Sequence, residues 1–289
     1  MPYPEFDLST VANTTPTQAE PLFTAQQQLP LDQSIDCDQS PGAELVKVRQ
    51  QGGATLFLAD EKIITAGVGN HLAHLLEQGL ITHLAVNPVT VILDFELATT
   101  GIIQTTNRAQ LDRKLLETIH SILSADDQAG LGYGEALGKV LFEGDFPHTQ
   151  SSLLAQAYRW GVPVTVHAVP GTDPLLQLSD FDAAAWGQII HRDFLLLCNS
   201  AENLEQGLVC QLAPCPAALG ALRSALQLAR QAASKYNRTI ADFDHHQFLQ
   251  GTTVTGLAIE GRNFSHPGSL SDTIPALRAS ARKSAGWDD

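Results

Sequence analysis

Apolar positions along this chain alternate between two textures. Short, continuous, β-branched runs read as strands: ATLFLAD (54–60), ITHLAV (81–86), VPVTVHAV (162–169), LVCQLA (208–213) and RTIADF (238–243). Between them lie stretches with apolar residues three and four apart, which read as helices. NHLAHLLEQG (70–79) places Leu72, Leu75 and Leu76 on one face, with Asn70 as a cap and Gly79 as a stop. RAQLDRKLLETIHSILSA (108–125) repeats the spacing through Leu111, Leu115, Ile119 and Ile122. SSLLAQAYRWG (151–161), 182–204, 216–234 and 267–282 complete the helical set. Strands separated by helices of this length form βαβ units and a parallel sheet. The expected fold is therefore α/β, a mainly parallel sheet with helices on both faces.

The first 40 residues break the rhythm. They are rich in Thr, Gln, Pro and Asp, and read as a poorly ordered arm or an intersubunit strap. From 41 to 289 there is no repeat and no shift of composition, so one domain is expected. The first 20 residues have no basic segment followed by an apolar one, so no signal peptide is expected, and no run is long enough to span a membrane. Four cysteines without a C-x-x-C pair suit free thiols in a reducing cytoplasm. With 289 residues and a net charge of -14, the chain can build a sizeable core, and its acidity reads as a device for solubility alone, with a cationic partner as the sharper alternative and nucleic acid disfavoured.

Several stretches could carry chemistry. In GVPVTVHAVPGTD (161–173) a strand runs into a Pro-Gly turn. Gly171 admits a positive φ, and Thr172 and Asp173 can bond a ribose hydroxyl or an ammonium group; an Asx-type turn capping a short helix is the plainer account. In VILDFELATTG (91–101), Asp94 and Glu96 flank one aromatic. They read as a carboxylate pair on one side of a strand, at a strand-to-helix junction, or exposed at a helix start. GLGYGEALG (130–138) is glycine-rich but lacks the dinucleotide spacing, and reads as a loop feeding a helix at 135–140. His245 and His246 would point to opposite faces of a strand, which makes them a poor chelating pair even beside Asp242 and Asp244, and no metal ligands are assigned. His167 reads as a hydrogen-bonded core histidine. No G-x-S-x-G elbow occurs.

The order of four segments adds to this. THLAVNPVTVILDFELATTG (82–101), LGYGEALG (131–138), SSLLAQAYRWGVPVTVHAVPGTD (151–173) and AAAWGQIIHRDF (183–194) resemble, in sequence order, the bacterial branch of the deoxyhypusine synthase-like family. The resemblance covers roughly 41–280. It implies a Rossmann-like doubly wound fold, a homotetramer and NAD bound near subunit interfaces. The chemistry implied is NAD-linked transfer or oxidation of a polyamine aminoalkyl group, of the spermidine or homospermidine type. Asp94 matches an acid of the family, and Asn87, Glu96, Gly134 and Glu135 match the bacterial branch. Asp173, with Gly171 and Thr172, matches a turn on the cofactor side. Asp94, Glu96 and Asp173 would then receive ammonium groups or ribose hydroxyls, and His246 would move protons. The departures are equally specific. Pro88, Val89 and Thr90 stand where the type enzyme has glycines, Leu93 replaces a histidine, and residues 214–216 read PCP. The stretch 253–268, where the type enzyme carries its imine-forming lysine, has none. A non-catalytic relative that keeps the fold and oligomer is the alternative.

Overall fold

β2 (Thr55–Ala59), β3 (His83–Val86), β5 (Val164–Val166), β6 (Leu208–Gln211), β7 (Asp244–Gln247) and β8 (Arg262–Ser265) form one parallel sheet in the order β5-β3-β2-β6-β7-β8. The computed structural model describes residues 21–31, 41–107, 110–125, 128, 130–248 and 261–287. Every residue of β2, β3, β5 and β6 is buried. Burial on both faces explains why their sequences run apolar without alternation.

One layer contains α1 (Pro41–Gln50), α3 (Gly69–Glu77), α4 (Pro88–Thr100), α6 (Tyr133–Glu143), α7 (Leu153–Arg159) and α10 (Leu270–Ala285), packed on Phe57, Leu84, Val86 and Val166. The other contains α8 (Ala183–Ala201) and α9 (Pro216–Ser234), packed on Leu56, Leu58 and Val209. The short α2 (Lys62–Thr65) follows β2, and α5 (Arg113–Leu123) lies outside α6. This is a doubly wound, Rossmann-like fold.

Several expectations need correction. The run around Asp94 and Glu96 is neither a strand nor an exposed helix start. It is the interior of α4, whose Asn87 caps it by accepting from Thr90 N at 2.9 Å and whose Gly101 ends it at φ 76°. The β-branched residues of VTVI fit because α4 is buried nearly all round, where packing overrides propensity. RTIADF is irregular: Ile240 and Phe243 pack with α9, and the strand begins at Asp244. Its polar DHHQ is drawn into the sheet by parallel pairing to β6 and β8. Asn70 lies within α3, and Val68 holds the cap position. Gly134 belongs to α6, which is longer than the helix expected at 135–140.

Within the expected arm, residues 21–31 are packed. β1 (Phe23–Thr24) pairs antiparallel with β4 (Ile102–Ile103), and Gln28 Oε1 accepts from Asn70 N at the start of α3. The rest of 1–40 lies outside the described residues. Among the described residues, no helix is long and apolar enough to cross a membrane.

Candidate functional site

The strand order reverses between β2 and β6. From there β3 and β5 lie to one side, and β7 and β8 to the other. In open α/β sheets such a reversal leaves a crevice outside the carboxyl ends of the strands, because the connections on its two sides cross opposite faces. A cavity of about 370 Å³ lies at these ends, lined by Lys62 and Ala66 after β2, Leu212, Ala213 and Pro214 after β6, and Phe248 after β7. Residues 268–271, at the start of α10, close it. Ser269 caps α10 by accepting from Asp272 N, and Ser271 Oγ donates to Ala66 O at 3.3 Å, tying the two walls together. Lys62, exposed and 4.0 Å from Asp60, and the N-terminus of α10, with Asp272 in its first turn, stand on the rim of this cavity.

Beside it stands a group of polar residues that sequence reasoning did not assemble. Asp60 is buried, accepts from Lys62 N at 3.0 Å, and is pushed up to about 6, chiefly by burial. Glu61 accepts from Asn87 Nδ2 at 2.7 Å, which joins the ends of β2 and β3. Cys215, at the start of α9, is buried; burial and the charges of Asp60 and Glu61 push its thiol up to about 12, so it is unreactive. A carboxyl near 6 at a cleft is suited to moving protons at neutral pH. The signal for Asp60 was legible: it directly follows the first strand of the sheet.

The residues singled out from sequence are dispersed. Asp94 accepts from Ser152 Oγ (2.6 Å), Leu153 N (2.8 Å) and Leu154 N (3.0 Å), and so caps the N-terminus of α7 from a neighbouring helix. Burial outweighs those bonds and raises it to about 6. Glu96, raised to about 7 by burial, accepts from the Gln104 backbone. Two residues apart on a helix, the two carboxylates sit about 200° apart around its axis and do not converge. Gly134 and Glu135 line a separate cavity of about 310 Å³ at the start of β5, with Leu154, Tyr158 and Val162. Gly134 packs so closely on Val164 that a Cβ would strike the Val164 carbonyl.

In the turn after β5, Gly171 has φ 87°. Thr172 Oγ1 accepts from Val169 N and donates to Val169 O. Asp173 caps a 3-10 turn through Leu175 N (3.0 Å) and accepts from Trp186 Nε1 (2.8 Å). That is the plainer Asx-type account of this turn. His167 is the core histidine expected, bonded to Thr165 Oγ1 at 2.8 Å, with His83 Nε2 on the same hydroxyl. His246 lies on β7 and is held neutral, lowered to about 4 chiefly by burial. Of the residues chosen for the cofactor, Asn87 directly follows β3 and bonds Glu61, the neighbour of Lys62 in the crevice wall.

No family model and no curated protein matches the chain. Solved structures do. AgrE, in a ternary complex with ornithine and NAD+, matches with TM-score 0.55 at 15% identity, over 87% of this chain and 34% of its own length. The chain thus spans about a third of that protein. A conserved protein assigned to LOR/SDH from Methanococcus maripaludis S2 matches with TM-score 0.51 at 12% identity, over 88% of this chain and 74% of that one. One assigned as a deoxyhypusine synthase from Entamoeba histolytica matches at TM-score 0.46 and 12% identity, over 80% of this chain and 76% of that one. At these identities the likeness shows a shared fold.

Proposed function

We propose that the chain binds NAD in the crevice at the ends of β2, β6 and β7, and acts there on a cationic amino compound. The observation that carries this is the cavity at the reversal of strand order, with Lys62 and the N-terminus of α10 on its rim. The AgrE structure of the same fold is a complex with ornithine and NAD+, which supports both the cofactor and an amine as its partner. The acidic chain, at -14, favours such a partner. Asp60 is the proton carrier of this reading, and Asn87 positions Glu61 beside it. Transfer or oxidation of a polyamine aminoalkyl group is the specific chemistry we assign, in keeping with the deoxyhypusine synthase-like segments, in a homotetramer in the cytoplasm.

Titration of the full chain with NADH, followed by cofactor fluorescence, tests the cofactor. Binding should saturate, weaken at least tenfold in Lys62→Glu, and stay unchanged in Lys114→Glu on the outlying α5. No saturable binding, or equal loss in both variants, overturns the reading. The alternative, a relative that binds without turnover, is favoured by the engagement of Asp94 and Asp173 in helix caps. Oxidation of spermidine, homospermidine or ornithine with NAD reduction decides between the two.

A further inference from the structure

Next to the crevice, on the face of the sheet covered by α1 and two residues before Phe248, three potential ligands meet. Asp244 and His246 are two apart on β7 and so project to the same face. Glu44 reaches them from the first turn of α1. One ligand atom from each of the three lies within 4.8 Å of the others. We propose that Glu44, Asp244 and His246 bind a divalent transition-metal ion of the zinc type.

The imidazole of His246 carries the argument. Its side chain is 2% exposed, and Nε2 comes within 3.0 Å of Glu44 Oε2 but makes no hydrogen bond. Nδ1 is 2.8 Å from His266 Nε2. When Nδ1 carries the proton and donates to His266, Nε2 directs a bare lone pair at two carboxylates. A buried lone pair facing anions is unsatisfied, and a cation between them satisfies all three groups. The bond from Nδ1 to His266 is also the outer support a metal-bound imidazole requires, because it fixes the tautomer and the ring plane. Stacking on Phe264 and on His266, at centroid distances of 4.8 and 5.1 Å, holds that plane further.

Arg262 donates to both oxygens of Asp244. Each carboxylate oxygen keeps a second lone pair for a metal, and two carboxylates against one guanidinium leave the cluster net negative. Glu44 is 47% exposed, so it can rotate to bring its oxygen to bonding distance. One imidazole and two carboxylates form a three-ligand set with a position left open, which suits Zn2+ and its spectroscopic substitute Co2+. The site links α1 to β7 across elements far apart in sequence. The adjacent pair His245–His246 could not show it, because the partners of His246 are Asp244 and a residue two hundred positions away.

The test uses the full chain, freed of metal with EDTA and titrated with Co2+ by visible absorption and with Zn2+ by calorimetry. One equivalent should bind, with the ligand-field spectrum of a low-coordinate Co2+ site. Glu44→Gln, near in shape and half-exposed, should fold as judged by circular dichroism and bind at least tenfold more weakly. Asp242→Asn, exposed and outside the cluster, should bind as the native chain does. No stoichiometric binding, or unchanged binding in Glu44→Gln, overturns the proposal.

Discussion

At the scale of single residues, burial dominates the carboxyls that the sequence drew attention to. Glu96 has one oxygen on the Gln104 backbone and the other, Oε2, buried without a hydrogen bond. Its folded pKa of about 7 lies above the ordinary 4.5. A raised acid binds its proton more tightly in the folded state, so stability is lost as the pH rises from 4.5 to about 7 and is regained as it falls back through that window. Glu96→Gln removes that cost. The variant should be more stable than the native chain by up to about 3 kcal/mol at pH 8, since each tenfold difference in proton affinity between the folded and unfolded chain is worth ~1.4 kcal/mol. At pH 4, where Glu96 is protonated in the unfolded chain as well, the gain should vanish. Urea midpoints at the two pH values measure it, and an equal effect at both would show that burial does not set this pKa. The sequence showed the pair of acids but not its environment. Asp94 and Glu96 alternate as on a strand face, and only the burial of α4 on all sides reveals two separate roles.

At the scale of elements, most helices and strands were legible because each carries its own periodicity and stops. α9 runs from Pro216 to Ser234, as the pattern predicts, and α8 starts at the Asp182 cap. The failures have a common cause. β7 is polar and α4 is β-branched, so both take their form from neighbours rather than from local preference. Glycines show the same division. Gly134 in α6 resembled part of a ligand loop, but it is where a helix meets an edge strand, with no room for a Cβ beside Val164 O. Gly187 in α8 has nothing within 4 Å of such a Cβ. Gly134→Ala should therefore push α6 off β5 and destabilise by about 1–3 kcal/mol. Gly187→Ala should stabilise by up to about 1 kcal/mol, the helix-propensity difference. Thermal unfolding of the two variants checks the contrast, which reverses if α6 tolerates the added carbon.

At the scale of the whole molecule, the parallel order and the two helical layers followed from the alternation of elements, while the crevice did not. Its walls come from positions 62–66, 212–214, 248 and 268–271, which no local pattern connects. The same long-range assembly buries five histidines among the described residues and half-buries His74 and His266. His71, His74, His83, His167, His245, His246 and His266 are all held below the ordinary 6.5, each chiefly by burial; four of them reach about 3 to 4. A depressed imidazole contributes stability that is complete above 6.5 and is lost as the pH falls through the unfolded value toward the folded one, because the unfolded chain takes up the proton first. Asp60, Asp94, Glu96 and Asp193, all raised by burial, work the other way and gain stability as the pH falls from about 7 toward 4. Seven imidazoles oppose four carboxyls in the shared window, and the more numerous imidazoles are expected to prevail. Stability should peak near neutral pH and decline between 6.5 and 4, with net proton uptake on unfolding. Urea midpoints followed across that range measure the slope, and a midpoint that rises steadily down to pH 4 would mean that the carboxyls, not the histidines, govern the acid response of this fold.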